Sequence, residues 1–233
     1  HDVRQKYVID VSAGSGYVAN LWHKAGAKVR AFDMYPDMCQ SKDLQCAPID
    51  LNYKLPIESS VADYVLLMET IEHIPNQTFL LQELARILKP DGLLIITKPN
   101  NSSLSARMAN VWVEAERSDM FLSSEAEIIG YDDTHIYNGR VYLCNLQRLR
   151  TLAGLAGLKC KKIYPNKLSV SSVFWYLLLG VFLHLRSFFT YKKLSRKALK
   201  TKEKTILREQ HALNTNLTVL LHKHLCIAFK KDM

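Results

Sequence analysis

The stretch VIDVSAGSGYVANLW, residues 8–22, guides the interpretation of the whole chain. An apolar run ends at Asp10, a loop carries Gly14 and Gly16, and residues with helical spacing follow. A strand, a glycine-rich turn and a helix in this order are typical of a parallel α/β sheet that binds a nucleotide beyond a strand end. The spacing Gly14-x-Gly16-x-x-Ala19 also fits the relaxed dinucleotide-binding fingerprint. The loop alone therefore leaves the identity of the ligand open.

The composition predicts a globular protein with one sizeable core. The chain has 233 residues, of which 48% are hydrophobic and 23% are charged. It contains five cysteines, and none of them form a C-x-x-C pair. Since neither a disulfide framework nor zinc-ligand spacing is present, the cysteines indicate a reducing, cytoplasmic location.

The net charge of +9 is concentrated in one segment of the chain. From Arg186 to Arg208 there are nine Lys or Arg residues and one acid, Glu203, which together account for +8. The remainder of the chain is close to neutral. This basicity is local rather than a general coating, so we expect no nucleic-acid partner.

Strands and helices alternate through the first hundred residues. The predicted strands are residues 6–12, 28–34, 45–50, 62–69 and 93–100, and the predicted helices are 17–26 and 76–92. Further along, the pattern predicts a helix over 143–157, a strand over 158–165 and a last long strand over 217–231. Short alternating units of this kind predict an α/β fold with a mostly parallel sheet and helices on both faces.

Polar side chains follow the predicted strands at the points where these strands end. They are Asp10, Asp33, Asp50, Glu69 and Asn100. The carboxyl ends of parallel strands meet at one edge of a sheet, where ligands of such folds bind. We therefore expect these five residues to line one rim.

The chemistry of this rim distinguishes between two cofactors. Asp33 can accept hydrogen bonds from a ribose diol, and Asp50 with Leu51 suits an adenine, which both a nicotinamide dinucleotide and S-adenosylmethionine contain. Asp10 would repel the pyrophosphate that a dinucleotide places against a helix N-terminus. It would instead favour the sulfonium and ammonium groups of S-adenosylmethionine.

The chain resembles class I S-adenosylmethionine-dependent methyltransferases, in particular the branch with quinone-biosynthesis and sugar-modifying enzymes. The matching segments are VIDVSAGSG, AFDMYP, IDL, ADYVLLMETIEHIPN and LLQELARILKPDGLLIITKPN, which lie in this order within residues 6–100. A looser match covers residues 131–165. The resemblance implies a Rossmann-like, seven-stranded sheet of order 3-2-1-4-5-7-6 with an antiparallel last strand.

The resemblance also implies a set of cofactor-binding residues. Met34 and Leu51 are expected to sandwich the adenine, and Met68 and Glu69 to lie near the cofactor at the end of the fourth strand. Ser12 stands where the family usually has its first glycine, which would strain the loop if the position needs a positive φ. The full set is Asp10, Ser12, Gly14, Gly16, Asp33, Met34, Asp50, Leu51, Met68 and Glu69.

Two histidines are the candidate catalytic residues. In the family pattern His73 lies near the transferred methyl group, and His135 matches a histidine of the substrate-side segment. An imidazole there could act as a base toward an oxygen nucleophile, which favours O-methylation. The alternatives are a helix-end histidine for His73 and a plain loop histidine for His135. Asp132 and Asp133 beside His135 lack further ligands for Mg²⁺, so no metal site is predicted.

The segment before the last strand has a character of its own. Residues 168–185 contain no Asp, Glu, Lys or Arg, and the basic block follows directly. Val170, Val173, Phe174, Leu177, Val181 and Leu185 fall on one helical stripe. This pattern is consistent with two arrangements. In one, residues 168–208 lie on the inner leaflet of a membrane; in the other, the helix packs against the sheet or against a second subunit in a homodimer.

These patterns predict a division of the chain and a ranking of functions. Residues 1–165 form the cofactor-binding core, 166–215 a helical insert that contacts the substrate or a membrane, and 216–233 the last strand. The leading prediction is methyl transfer to a small-molecule or lipid-linked acceptor. A non-catalytic, membrane-associated binding module and a nicotinamide-dependent oxidoreductase are the alternatives, and the latter is disfavoured because no Tyr-x-x-x-Lys helix is found.

Overall fold

A computed structural model describes residues 2–113, 141–198 and 200–231. Its centre is a seven-stranded sheet of order β3-β2-β1-β4-β5-β7-β6. The strands are β1 (Tyr7–Asp10), β2 (Lys28–Asp33), β3 (Cys46–Pro48), β4 (Ala62–Met68), β5 (Leu88–Pro99), β6 (Leu158–Tyr164) and β7 (His224–Lys231). The pairs among β1 to β5 are parallel, and β7 runs antiparallel to both β5 and β6. The predicted fold class and strand order are confirmed.

Seven α-helices accompany this sheet in the described part of the chain. They are α1 (Tyr17–Lys24), α2 (Gln77–Ile87), α3 (Leu104–Val113), α4 (Leu146–Leu155), α5 (Val170–Lys197), α6 (Thr201–Asn214) and α7 (Leu217–Leu221). Trp22 of α1 packs against Val8 and Leu66 on one face of the sheet. Leu84 of α2 and Leu149 of α4 belong to the larger cluster on the other face.

The central strands are covered on both sides, which explains why their sequences are apolar almost throughout. In β4, the consecutive residues Val65, Leu66 and Leu67 are fully buried. Successive side chains of a strand point to opposite faces, so consecutive buried residues require a layer of helices on each face. The site therefore lies at an edge of the sheet rather than on one of its faces.

The boundary between α2 and β5 differs from the sequence prediction. The helix predicted to run to residue 92 ends at Ile87, and β5 begins at Leu88 rather than at residue 93. Ala62 pairs with Leu88 and Tyr64 pairs with Leu93, so the register shifts within this pair. Asp91, with φ of 64°, takes the left-handed conformation in this irregular segment. The turn signal of Pro90-Asp91-Gly92 thus marks a bulge inside a longer strand.

The last predicted strand, 217–231, is partly wrong. Residues Leu217–Leu221 form the short helix α7, and only His224–Lys231 form β7. The side chain of Asn216 accepts a hydrogen bond from the Val219 amide, which caps the start of α7. The side chain of Asn100 donates to the carbonyls of Val219 and His222 at 2.7 Å each. The end of β5 therefore fastens this helical turn in place.

Helices α5 and α6 lie between β6 and β7 in the chain. By length and composition alone, α5 is long and apolar enough to cross a membrane. Within its most apolar 18-residue segment, only 6% is buried inside the protein. Ser169 and Ser172, at its start, are buried and form a hydroxyl cluster with Ser105 of α3. One side of α5 is thus attached to the protein, and its other side is exposed.

Candidate functional site

A cleft of about 170 Å³ lies at the carboxyl ends of β1 to β4. The strand order places these ends side by side, as the sequence predicts. Seven of the predicted site residues line it: Ser12, Asp33, Met34, Asp50, Leu51, Glu69 and His73. Within the described residues, Asp10, Gly14, Gly16 and Met68 do not line the cleft but support it.

The loop after β1 holds its shape through two glycines in the left-handed region. Gly14 has φ of 50° and Gly16 has φ of 77°, conformations that favour glycine. A Cβ atom on Gly16 would also lie 2.7 Å from Sγ of Cys39, so space as well as φ excludes a side chain there. The Gly14 amide points at Asp33 and donates to its Oδ2 at 2.8 Å.

Asp33, at the end of β2, is fixed by hydrogen bonds to both of its carboxylate oxygens. Oδ2 accepts from the Gly14 amide, and Oδ1 accepts from the Tyr35 amide at 2.9 Å. A carboxylate has about four lone-pair sites, so each oxygen can accept a further bond. The half-buried carboxylate is therefore ready to accept hydrogen bonds from a ribose diol in the cleft.

Ser12 replaces the usual glycine without backbone strain. The described non-glycine residues with positive φ are Gln5, Ser60, Glu69 and Asp91, so Ser12 does not need the left-handed conformation. Its Oγ accepts a 2.7 Å hydrogen bond from the Met68 amide. The serine thus joins the loop to the end of β4, and the strain considered from the sequence is not found.

Asp10 lies behind the loop rather than in the cleft. Its side chain is fully buried, Oδ1 accepts a 3.1 Å bond from the Ser12 amide, and Oδ2 has no hydrogen-bond partner. Burial, together with the nearby Asp33 carboxylate, raises the pKa of the Asp10 carboxyl to about 7. A buried carboxylate oxygen without a partner is an unusual feature that a cationic ligand group nearby would relieve.

Asp50 and Leu51 line the same cleft as Asp33. Oδ1 of Asp50 accepts hydrogen bonds from both the amide and the side-chain nitrogen of Asn52 at 2.9 Å. Leu51 belongs to the buried core as well as to the cleft wall, whereas Met34 is half-exposed. A carboxylate beside apolar side chains suits the amino group and the face of an adenine.

The side chains of the two predicted site residues at the end of β4 point in different directions. Met68 packs with Val8 and Leu66 on the α1 face, so its side chain does not reach the cleft. Glu69 lines the cleft with φ of 49°, and its Oε2 lies 3.0 Å from Nδ1 of His224 in β7. The sequence does not reveal this partner, because 155 residues separate the two.

His73 ends a short 3-10 turn, Ile71–His73, that enters the cleft. Its amide donates to the Thr70 carbonyl at 2.9 Å. The side chain of Gln77 donates to the Ile71 carbonyl at 2.9 Å and to the Tyr142 carbonyl at 2.6 Å, which fixes the turn. The imidazole is thus held on a rigid support beside the cofactor rim.

Sequence reasoning missed two buried ionisable residues, Glu72 within this turn and Lys98 in β5. Both carboxylate oxygens of Glu72 are buried without a partner, and burial raises its pKa. The Lys98 ammonium is buried too, with a pKa lowered by burial, and donates to the Asn101 side chain at 3.2 Å. A lysine inside the apolar run of β5 was the available signal. Tyr35 and Asn52, which also line the cleft, left no comparable signal.

The second predicted catalytic histidine, His135, lies outside the described residues, as do Asp132 and Asp133. Among the residues that are described, no group of three or more His, Cys, Asp or Glu side chains is placed to hold a metal ion.

The chain matches a known family over most of its length. The sequence model of the family described as Methyltransferase domain matches residues 2–162. A ubiquinone biosynthesis O-methyltransferase from Xanthomonas oryzae pv. oryzae is 28% identical over 122 residues, which cover 48% of this chain and 51% of that protein. The match therefore spans only about half the length of this relative.

Solved structures share the fold. An S-adenosylmethionine dependent methyltransferase from Mesorhizobium loti superposes with a TM-score of 0.55 and 9% identity over 99% of this chain and 93% of that chain. Phosphoethanolamine N-methyltransferase 2 from Haemonchus contortus, in complex with S-adenosyl-L-methionine, superposes with a TM-score of 0.52. Its sequence identity is 17%, over 99% of this chain and 49% of that chain. At such identities the likeness concerns the fold alone. Because the family match runs from before β1 into β6, the chain belongs to the Methyltransferase domain family, with the fold of class I S-adenosylmethionine-dependent methyltransferases.

Proposed function

We propose that this protein transfers a methyl group from S-adenosylmethionine to an oxygen atom of a small or lipid-linked acceptor. The observation that carries the proposal is the shared cleft, in which Asp33, Asp50 and His73 all face one cavity. The name of the Xanthomonas relative, an O-methyltransferase, supports oxygen as the nucleophile.

The residues of the cleft fit the parts of this cofactor. Asp33 would hold the ribose diol, Asp50 and Leu51 the adenine, and the loop at Ser12 the amino-acid end. The buried, partnerless oxygen of Asp10 gives that end of the site a negative field once the carboxyl ionises. When bound, S-adenosylmethionine supplies an electrophilic methyl group on a sulfonium.

The protein's own contribution is mainly alignment of the nucleophile with this methyl group. Orientation of two reactants can contribute about 7–11 kcal/mol to lowering a barrier. His73 stands on a fixed turn and would take the proton from the acceptor hydroxyl as the oxygen attacks. General-base help of this kind is worth about 10²–10⁴-fold in rate.

Transfer of a labelled methyl group tests the proposal. The purified protein is incubated with S-adenosylmethionine carrying a deuterated methyl group and with aqueous and organic extracts of the native cells. Mass spectrometry should find a labelled molecule whose new bond is an O–CD₃ ether or ester. Label on nitrogen or carbon would contradict O-methylation. No label, with intact binding of S-adenosylhomocysteine, would favour the non-catalytic binding module.

We further propose that α5 and the basic block contact an anionic membrane surface, at the inner face of the membrane. The solvent side of α5 carries a continuous apolar stripe: Val170 is 82% exposed, Leu177 79% and Val181 78%. Large, contiguous exposed apolar patches mark interaction surfaces. Val173, assigned to the stripe from the sequence, is half-buried instead.

The shape and charge of α5 favour lying on a membrane over crossing it. The buried hydroxyl cluster of Ser105, Ser169 and Ser172 attaches one side of the helix to α3, which a spanning helix would have to give up. The apolar stripe continues into Lys192, Lys193 and Arg196, and each basic residue near an anionic surface adds about 1 kcal/mol of attraction.

Liposome sedimentation tests the membrane contact. The protein should pellet with anionic liposomes at low salt, less at high salt, and weakly with neutral ones. The double variant L177E/V181E should stay in the supernatant, while L155E, a change of an exposed leucine on α4, should pellet like the wild type. A wild-type protein that stays soluble with anionic liposomes, and sediments as a dimer that L177E/V181E dissociates, would replace this proposal with a homodimer contact.

A further inference from the structure

A second and larger cavity lies away from the cofactor cleft. It is a groove of about 430 Å³ between α3, α5 and α6. Its walls are mostly apolar and include Leu104, Met108, Leu179, Leu183 and Leu207. Small-molecule sites usually have volumes of about 300–1,000 Å³ and predominantly apolar walls. The groove is therefore large enough for a hydrocarbon chain.

Two arginines interrupt this apolar wall. Arg107 from α3 is half-buried, and Arg186 from α5 is exposed at the surface. Burial lowers the pKa of the Arg107 guanidinium. In the part of the chain that the structure describes, neither guanidinium has a hydrogen-bond or ion-pair partner. Two arginines, for which the described residues supply no anion, thus line the same groove.

For Arg107, the half-buried arginine of the two, such an environment is unfavourable. Partial burial of a charge without a partner costs free energy, and folded proteins normally supply a carboxylate nearby. Two other polar groups of the groove bond to each other: Oγ of Ser187 lies 2.9 Å from Nδ1 of His211, whose ring stacks on Tyr191. Since the described residues supply no partner for these arginines, we expect an anionic group of a ligand to do so.

We propose that this groove binds a phosphate-bearing lipid, with its chain along the leucines and its phosphate at Arg107 and Arg186. The planar guanidinium matches the geometry of phosphate oxygens and can bind them in a bidentate manner. The same helix α5 carries the apolar stripe on its outer side, so the groove lies beside the proposed membrane contact. The inference extends the proposed lipid contact, but it can be tested without a membrane.

Calorimetric titration with monomeric amphiphiles tests the groove. The probes are dodecyl phosphate and dodecyl maltoside, both below their micellar concentrations, and inorganic phosphate. Dodecyl phosphate should bind most tightly, because it alone supplies both chain and anion. R107Q and R186Q should each weaken its binding about tenfold or more, the range expected for a charged hydrogen bond. The control variant R148Q, on α4, should bind like the wild type.

Three outcomes would overturn the proposal. Equal affinity for dodecyl phosphate and dodecyl maltoside would mean that the groove is a plain apolar surface. Equal affinity for dodecyl phosphate and inorganic phosphate would remove the role of the chain. Unchanged binding in R186Q, whose exposed side chain makes a folding defect unexpected, would remove the role of the arginines even if R107Q fails to fold.

Failure here is distinguishable from failure of the proposed function. The titration needs neither S-adenosylmethionine nor an acceptor nor a bilayer. A protein that transfers methyl groups and sediments with liposomes but does not bind dodecyl phosphate refutes only the groove. A protein that binds dodecyl phosphate but transfers no methyl group keeps the groove and loses the enzymatic function.

Discussion

The amide of Gly14 donates a 2.8 Å hydrogen bond to Oδ2 of Asp33, although 19 residues separate them in the chain. The glycine loop after β1 and the acid at the end of β2 are thus one structural unit. The same carboxylate binds the Tyr35 amide through its other oxygen. Any change at Asp33 is therefore expected to act on both the cofactor and the loop that surrounds it.

Replacing Asp33 should weaken cofactor binding and loosen the loop. In D33A the ribose loses a charged acceptor worth about 1.5–3 kcal/mol, so the affinity for S-adenosylhomocysteine should fall about tenfold to a hundredfold. The melting temperature should fall too, because the Gly14 and Tyr35 amides lose their acceptor. Titration calorimetry and thermal unfolding measure the two effects. D37A, an exposed acid in the next segment, serves as the control, and an unchanged affinity in folded D33A would refute the ribose assignment.

Asp10 should make the stability of the free protein depend on pH. Its pKa is raised from the ordinary 3.8 to about 7, so the folded state holds a proton that the unfolded state releases. Its contribution to stability is thus present below about pH 4 and is lost as the pH rises through about 7. The melting temperature of D10N, relative to that of the wild type, should therefore rise between pH 5 and pH 8. A difference that stays constant over this range would contradict the raised pKa.

Cofactor binding should release the proton of Asp10. A cationic ligand group near the buried carboxyl favours its ionised form, so its pKa falls on binding. Calorimetric titration at pH 6 in two buffers of different ionisation enthalpy measures the number of protons released. We expect release in the wild type and none in D10N. The same release in both proteins would assign it to another group.

Ser12 is expected to stabilise the folded protein more than a glycine would at this position of the loop. Its Oγ accepts the 2.7 Å bond from the Met68 amide, and its φ is not positive. In S12G and S12A this amide loses its partner, which costs about 1–3 kcal/mol where water cannot replace it. Chemical denaturation should show both variants to be destabilised, S12G at least as much as S12A. A more stable S12G would show that the position prefers the family's glycine.

His73 should affect turnover and not cofactor binding. Loss of a general base slows a reaction by about 10²–10⁴-fold, so H73A should lose activity on the acceptor found by methyl labelling. Its affinity for S-adenosylhomocysteine should match that of the wild type. The exposed His23 on α1 provides the control variant H23A. Full activity of H73A from pH 6 to pH 8 would make His73 structural and leave His135 as the next candidate.

The sequence by itself determined the sheet and the position of its rim. Apolar runs that end in acids predict strands, and the carboxyl ends of parallel strands share an edge. The positions of Asp33, Asp50 and His73 at one cleft follow from this, since each depends only on where a strand ends. Motif resemblance added the strand order, which local periodicity does not contain.

Only the tertiary structure decided which way the side chains at that rim face. β4 is apolar almost throughout, so no alternation reveals that Met68 packs toward α1 while Glu69 faces the cleft. Burial of Asp10 beneath the loop results from contacts between elements far apart in the chain. The same holds for Arg107, which has no partner among the residues that the structure describes, because whether a charge has a partner depends on which helices meet around it. Sequence spacing sets where residues lie along an element. Long-range packing sets their solvent exposure and their hydrogen-bond partners, and therefore their pKa values.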